Sequence, residues 1–527
     1  MPLLIVILLL LALAAFLPGL SALWTSDDYG LVGGLYGNPP PSFWGDLGRS
    51  YAGFLTPHRL FNHTLIGFGE VIGPAMAHTL GLTLHLACAL FWGVLTWSLF
   101  RSHMLTFLAC GLFVLAPWVT EPVLWWTGLS TTAATACMLL SANLYLASLS
   151  ARSATRPWFV LLSSFALFMS LCWYDLWLAG FLLFFGIALI FPKPLTDWKS
   201  ADLWYRLAIR LAPIAFTFAF WFALVLLLGL RAPQYATPST FSWARVPIVL
   251  ASIHLRVANW LVGPDWLGLW KIGVDALTKP VDALVAILGL GSLALMLVQM
   301  AINPRGGALT DASASRPPGA MLEKLPSPVF STAQFPWPAL LLAWMMFLAS
   351  RLVFLLQAGM DLHTRHSYGA GLAVALAAAA LGTWSWYRWC EPYATRRWLA
   401  VIAIALVLML MTLTTAGRAR QISLSSQAEA YTIHEINQVL IEHPEVHSLT
   451  VVGTPVPDIG ELNYFAEYDG MWLNAVLHDL GHRQEVRVIR VLDAHPAQTG
   501  ADVYFYWSGQ WPDARLAQGA HQPSSGN

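Results

Sequence analysis

"MPLLIVILLLLALAAFLPGLSALWTSDDYGLVGG", Met1 to Gly34, decides the fold. No ionisable side chain occurs before Asp27, and Asp28 follows it directly. A helix needs roughly 20 apolar residues to cross a bilayer core, and this run supplies them. It lacks the basic start of a signal peptide, and many similar runs follow, so an uncleaved first span is expected. The rest of the chain agrees. Its 527 residues are 57% hydrophobic and 11% charged, against about a quarter charged in soluble domains. The expected fold class is therefore a polytopic α-helical membrane protein. Lys plus Arg and Asp plus Glu both number 28, so no bulk field attracts nucleic acid. The five cysteines lie in or beside apolar runs, without metal-type spacing or a disulfide framework.

Further spans are expected near 73–100, 104–118, 122–148, 158–172, 175–192, 207–230, 281–302, 336–357, 367–387 and 398–414, about eleven in all by the length criterion. Basic residues recur on alternate loops, at Arg101, at Arg152 and Arg156, in "PKPLTDWKSADLWYRLAIR", and at Arg388, Arg396 and Arg397. Cytoplasmic loops carry such residues. The N-terminus then lies inside and the loop 24–72 outside. The segment 231–280 is apolar but carries Arg245, His254, Arg256, Asp265 and Lys271. It reads as an amphipathic outer-face segment; a true span would invert everything after it. Residues 303–335, rich in Pro, Ala and Ser, read as a flexible cytoplasmic linker. Residues 1–417 thus form the membrane domain. From 418 the composition turns soluble, and 418–527 reads as a small extracytoplasmic α/β domain with parallel pairing. "SSQAEAYTIHEINQVLIEHP" is its helix, with Ser425 or Ser426 as cap. "SLTVVGTP", "EVRVIRVL" and "ADVYFYWSG" are its strands, and "LNYFAEYDGMWLNAVLHDL" is helical between the first two.

This topology sorts the polar residues onto one face. Asp27 and Asp28 end the first span, Glu121 sits in the turn of "APWVTEPVLWWTG", and Asp175 sits in "LCWYDLWLAG". Arg365 opens the tenth span between His363 and His366, and "YAGFLTPHRLFNHTL" supplies His58, Arg59, Asn62 and His63. Acids at helix ends are common, because a carboxylate reaches water there and favours a helix N-terminus. Aromatic belts account for part of the set Trp118, Trp125, Trp126, Trp173 and Tyr174. They do not account for the carboxylates. Transfer of a group from a lipid phosphate suits the whole set. A carboxylate accepts the proton of an attacking hydroxyl, a guanidinium clamps the leaving phosphate, and flat Trp faces suit a sugar ring. His78 and His85, seven apart on the second span, share a face. Interhelical hydrogen bonding is one reading of them and a donor pocket the other.

"SDDY", "PHRLFNH…PAMAHTLGLTLH", "APWVTEPVLWWTGLS", "HLRVANWLVGPDW" and "RHSYGAGLAVAL" occur in this order over about residues 24–380. In that order they resemble the GT-C superfamily of integral-membrane glycosyltransferases. They are most similar to the protein O-mannosyltransferase branch and its bacterial relatives. The resemblance implies a polyprenyl-phosphate-linked sugar donor, an aspartate base in the first outer loop, and transfer on the periplasmic or luminal face, in a bacterial inner membrane. The expected site is then Asp28, Asp27 and Glu121 for catalysis, with Arg365, Arg59, His58, His63, Asp175, Trp125 and Tyr368 for substrate. The acceptor is a glycan, a lipid or a protein. The chain departs from the pattern: no tetratricopeptide repeats follow, "WYDLW" replaces an expected Lys-Glu pair, and "TPHRL" is not a clean Arg-Pro. No cofactor is firmly implied. A divalent cation near Asp28 and Glu121 is left open, since it could balance a leaving phosphate, but no ligand spacing compels one. The rivals are a transporter or flippase of lipid-linked glycans, which calls for ionisable groups deep in the spans and repeat symmetry, and an O-antigen polymerase or ligase.

Overall fold

A computed structural model describes residues 2–24, 60–126, 128–174, 177–191, 201–227, 247, 251, 265–302, 335–351, 368–452, 473–474, 476–477, 480–489, 503–508 and 515–518. Helix α1 (Pro2–Phe16) tightens into a 3-10 turn over Leu17–Gly19, where Pro18 withholds an amide. Helix α2 (Leu60–Phe100) is broken at Gly73, whose φ of 70° precedes Pro74. Glycine adopts that conformation without steric cost, and the membrane part of α2 begins there.

Beyond it lie α3 (His103–Val114), the short α4 (Thr120–Leu124), α5 (Leu129–Ser150), α6 (Arg156–Trp173), α7 (Phe181–Ile190) and α8 (Ala201–Leu227). Then come α9 (Asp265–Ala276), α10 (Pro280–Ile302), α11 (Trp337–Arg351), α12 (Tyr368–Ser385) and α13 (Ala394–Glu442). Among the described residues, seven helices are long and apolar enough to cross a bilayer, or eight if the pair α3 and α4, bent by 54°, counts as one. Val6–Gly19, α7 and α11 are shorter apolar helices. Each of the expected segments therefore meets an apolar helix, and among the described residues seven or eight of the expected eleven reach full crossing length.

Contacts fix the direction of each helix. Ala14 of α1 clusters with Ala286 of α10 and Ala416 of α13, while Gly289 of α10 faces Leu10 and Leu11. So α10 runs antiparallel to α1. Arg210, early in α8, donates to the carbonyls of Ala188 and Phe191 at the end of α7, at 3.3 and 3.1 Å. Phe218, further along α8, reaches Gly180 at the start of α7. The last turns of α8 and the first turns of α10 thus lie at the same end of the bundle. Between them in sequence, α9 does not lie free on the surface. Its backbone meets that of α13 directly: a Cβ on Gly273 would sit 1.8 Å from the Leu413 carbonyl oxygen, and one on Gly417 would sit 2.0 Å from that of Leu269. Small residues permit this approach between apolar helices.

Ser350 of α11 meets Gly369 of α12 at the end where α1 finishes, which we term the site end. At the far end the Phe335 and Trp384 rings lie 5.2 Å apart. α11 therefore begins at the end opposite the site.

The cap expected at Ser425 or Ser426 does not form. α13 passes unbroken through both residues and through 417/418. Both serines are buried; the Ser426 hydroxyl accepts from the Leu23 amide and donates to the Ser423 carbonyl one turn back. Beyond the bundle, Ile433, Ile436 and Leu440 of α13 pack against Leu449, Val451 and Val486. These belong to a four-stranded sheet of order β2-β1-β3-β4, with β1 (Ser448–Val452), β2 (Glu485–Ile489), β3 (Val503–Ser508) and β4 (Arg515–Gln518). β1 pairs in parallel with β2 and β3, and β4 closes the edge antiparallel to β3. Residues 473–474 and 476–477, within the stretch expected to be helical between the first two strands, are helical.

Candidate active site

The stretch "LAPWVTEPVLWWTG" cannot continue α3, because Pro117 and Pro122 lack the amides that the ladder needs. α3 stops at Val114, the chain turns through Pro117–Val119, and α4 carries Glu121 in its first turn. A broken helix at membrane depth must hand its freed carbonyls to other groups. Here side chains collect them. His85 Nε2 donates to the Val114 carbonyl at 3.1 Å, and Thr415 Oγ1 donates to that of Leu115 at 2.7 Å. Thr120 Oγ1 donates to that of Pro117 at 2.7 Å, and Thr132 Oγ1 to that of Pro122 at 3.0 Å. Each unmet group would cost about 1–3 kcal/mol. α2 closes over the break at Gly81, where a Cβ would stand 2.0 Å from the Val123 carbonyl oxygen. Glu121 is consequently only 2% exposed, and Trp125 and Trp126 are buried beside it.

The root of the first loop is held against this break. His78 Nε2 donates to the Ala22 carbonyl at 3.1 Å, and the Leu23 amide donates to Ser426 Oγ at 2.9 Å. The Trp24 ring lies 6.4 Å from His78 and 6.1 Å from Trp126. The chain therefore departs toward Asp27 and Asp28 from a point beside the turn that carries Glu121.

Tyr368, the first residue of α12, enters the same layer fully buried. Because His85 Nε2 donates to a carbonyl, Nδ1 carries the lone pair, and the Tyr368 hydroxyl donates to it at 2.6 Å. Cys88 and Thr132 neighbour that hydroxyl. Arg351, the last residue of α11, is 1% exposed and follows Ser350 at the Gly369 contact.

Of the residues expected from sequence, Asp27, Asp28, His58, Arg59, Asp175 and Arg365 lie outside the described residues, as do His363 and His366. His63 falls on the helical stretch before Gly73. Glu121, Trp125 and Tyr368 are buried at the site end, and Tyr368 reaches the break through His85. His78 and His85 both bond between separated parts of the chain. Sequence reasoning did not single out Arg351 or Thr415, and it took Ser426 only as a helix cap. A charged residue closing an apolar helix was the available signal for Arg351. The two hydroxyl residues carry no local mark of their partners. Among the described residues, no group of three or more His, Cys, Asp or Glu side chains could hold a metal ion.

Fold and interior together define a multi-pass helical membrane protein with its buried charge at one end. The buried Asp, Glu and Arg side chains among the described residues are Glu121, Asp282, Arg351 and Glu429. Asp282 lies in the first turn of α10, and Glu429 lies one turn beyond Ser426. None sits midway along a crossing.

No family model matches this chain, and no curated protein does. Among solved structures, the chain is similar to that of ArnT from Cupriavidus metallidurans bound to undecaprenyl phosphate. The two are 15% identical with a TM-score of 0.35, over 95% of this chain and 92% of that one.

Proposed function

We propose that the chain is a membrane glycosyltransferase. It moves a sugar from a polyprenyl-phosphate donor to an acceptor hydroxyl on the extracytoplasmic side, in a bacterial inner membrane. One observation carries the reading: every described buried carboxylate and guanidinium lies at the end of the bundle where the first loop leaves and the broken helix turns. A lipid-linked donor presents its phosphate at that depth, with its tail in the bilayer. A flippase would instead require charge along a path through the bilayer.

In this scheme one carboxylate of the Asp27–Asp28 pair, Asp28, takes the proton of the acceptor hydroxyl as its oxygen bonds the anomeric carbon. The bond from that carbon to the phosphate oxygen breaks. Arg365 neutralises the departing polyprenyl phosphate, and the buried Arg351 adds positive charge at the same end. Asp27 holds the loop, Glu121 shares the proton, and Trp125 backs the sugar. Arg59, His58, His63 and Asp175 complete the substrate contacts. Tyr368 fixes the helix that follows Arg365. A single guanidinium presents a planar fork to phosphate that an ammonium does not.

The test is release of undecaprenyl phosphate from a panel of its sugar-linked forms by purified protein in nanodiscs. Asp28→Asn keeps shape and removes basicity, and should cost about 10²- to 10⁴-fold in rate with binding of undecaprenyl phosphate intact. Arg365→Ala should weaken that binding, and Arg365→Lys should restore part of it. Near-native turnover in the Asp27→Asn, Asp28→Asn and double variants would move the base elsewhere. Absence of release from every donor by the unsubstituted protein would sink the reading.

A further inference from the structure

The His85 imidazole is joined at both nitrogens. Its two partners belong to different parts of the candidate site. Nε2 holds the last carbonyl of α3, immediately before the chain breaks and turns toward Glu121. Nδ1 holds the hydroxyl of the residue that opens α12, three positions after Arg365. The rings of Phe16, Phe113 and Tyr368 enclose it, with centroids 5.3, 5.1 and 5.6 Å away. This packing leaves the imidazole little freedom to swing, and the carbonyl fixes its tautomer.

We propose that His85 is a positioning residue of the transfer site. Through one rigid ring it sets the spacing between the turn that bears Glu121 and the helix that begins beside Arg365. The inference rests on the glycosyltransferase reading. His85 touches neither donor nor acceptor and moves no proton in the reaction. Its effect lies in the register of groups that must close on one anomeric carbon, and misplacement by about 1 Å can cost about 100-fold in rate.

The experiment uses full-length protein in nanodiscs. It measures release of undecaprenyl phosphate from its sugar-linked form, binding of undecaprenyl phosphate, and thermal unfolding, for His85→Ala, His85→Gln, Tyr368→Phe and His85→Ala/Tyr368→Phe. Ser141→Ala serves as a control, because it removes an interhelical bond to Ser163 that lies away from the site. His85→Ala and Tyr368→Phe should each lower kcat about 10- to 100-fold while changing the Kd for undecaprenyl phosphate less than about threefold. The double variant should be no slower than the worse single one, since residues acting as a unit are not additive. His85→Gln, which can still donate to the Val114 carbonyl, should recover part of the rate, and Ser141→Ala should be unchanged. Rates that fall only with the folded fraction, effects that multiply in the double variant, or a Tyr368→Phe protein of native rate would each overturn the proposal. If the unsubstituted protein neither binds undecaprenyl phosphate nor releases it, the glycosyltransferase reading fails with it. Failure confined to the variants removes His85 alone.

Discussion

The α3–α4 break and the outer half of α13 solve the same problem in opposite ways. In the first, "FVLAPWVTEPVLWW" gives up its helix in an apolar setting, and four side chains from elsewhere or nearby take the freed carbonyls. In the second, "TTAGRARQISLSSQ" is rich in residues that favour caps and turns, yet the helix runs through it unbroken. The difference lies in where the hydroxyls point. Thr415 turns to the Leu115 carbonyl, and Ser426, while donating to Ser423 of its own helix, accepts from the Leu23 amide, so both reach other segments. One helix stays intact and by that means satisfies the other's break. A polar residue inside a membrane helix is best read by asking which distant backbone lacks a partner.

The contrast has measurable consequences. Gly81→Ala should have the largest effect, because its Cβ meets a backbone oxygen that no rotamer change can move. A loss of about 3 kcal/mol or more is expected for such overpacking, seen as a lowered unfolding temperature and less monodisperse protein. Thr415→Val should come next. It keeps shape and strands the Leu115 carbonyl, at a cost of about 1–3 kcal/mol. A native unfolding temperature in this variant would mean that α13 does not support the break. Ser426→Ala should cost about 1 kcal/mol, because the Leu23 amide loses its acceptor. Proteolysis within residues 25–59 should also quicken if this bond anchors the loop. Thr412→Val should change least, by about 0.5 kcal/mol, the low end of what a hydrogen bond contributes, since the Thr412 hydroxyl bonds only the Leu408 carbonyl of its own helix. Equal losses for Thr412→Val and Thr415→Val would erase the distinction between the two kinds of hydroxyl.

Much of the bundle was legible because its signals are local. Apolar runs interrupted by basic loops place the helices and their alternation, and Pro117 and Pro122 announce the break. Short runs rich in β-branched and aromatic residues place β1, β2 and β3, but the short β4, "RLAQ", has no such pattern and pairs with β3 alone in the sheet. The cap at Ser425 or Ser426 was misread for a similar reason. Sequence shows that a serine can bond a backbone amide but not which one, and here the amide lies some 400 positions away, at Leu23.

The candidate site divides along the same line. Glu121, Trp125 and Tyr368 stand out in sequence as polar or aromatic residues at span ends, and the structure buries all three at one end of the bundle. Arg351 was passed over, because a lone Arg closing an apolar helix is indistinguishable from an interfacial anchor until its burial is known.

By itself the sequence determined that the chain crosses a membrane repeatedly, where α3 breaks, and that Glu121, Trp125 and Tyr368 stand at helix ends. Length, hydropathy and proline act over a single helix, and they need no partner to be read. Tertiary structure alone decided that α9 packs its backbone against α13, that α13 continues past the expected cap, and that His85 ties Val114 to Tyr368. Those outcomes depend on which backbone groups are left without water in the bilayer and on which side chains come within 3 Å or so of them. Both are properties of packing between segments distant in the chain.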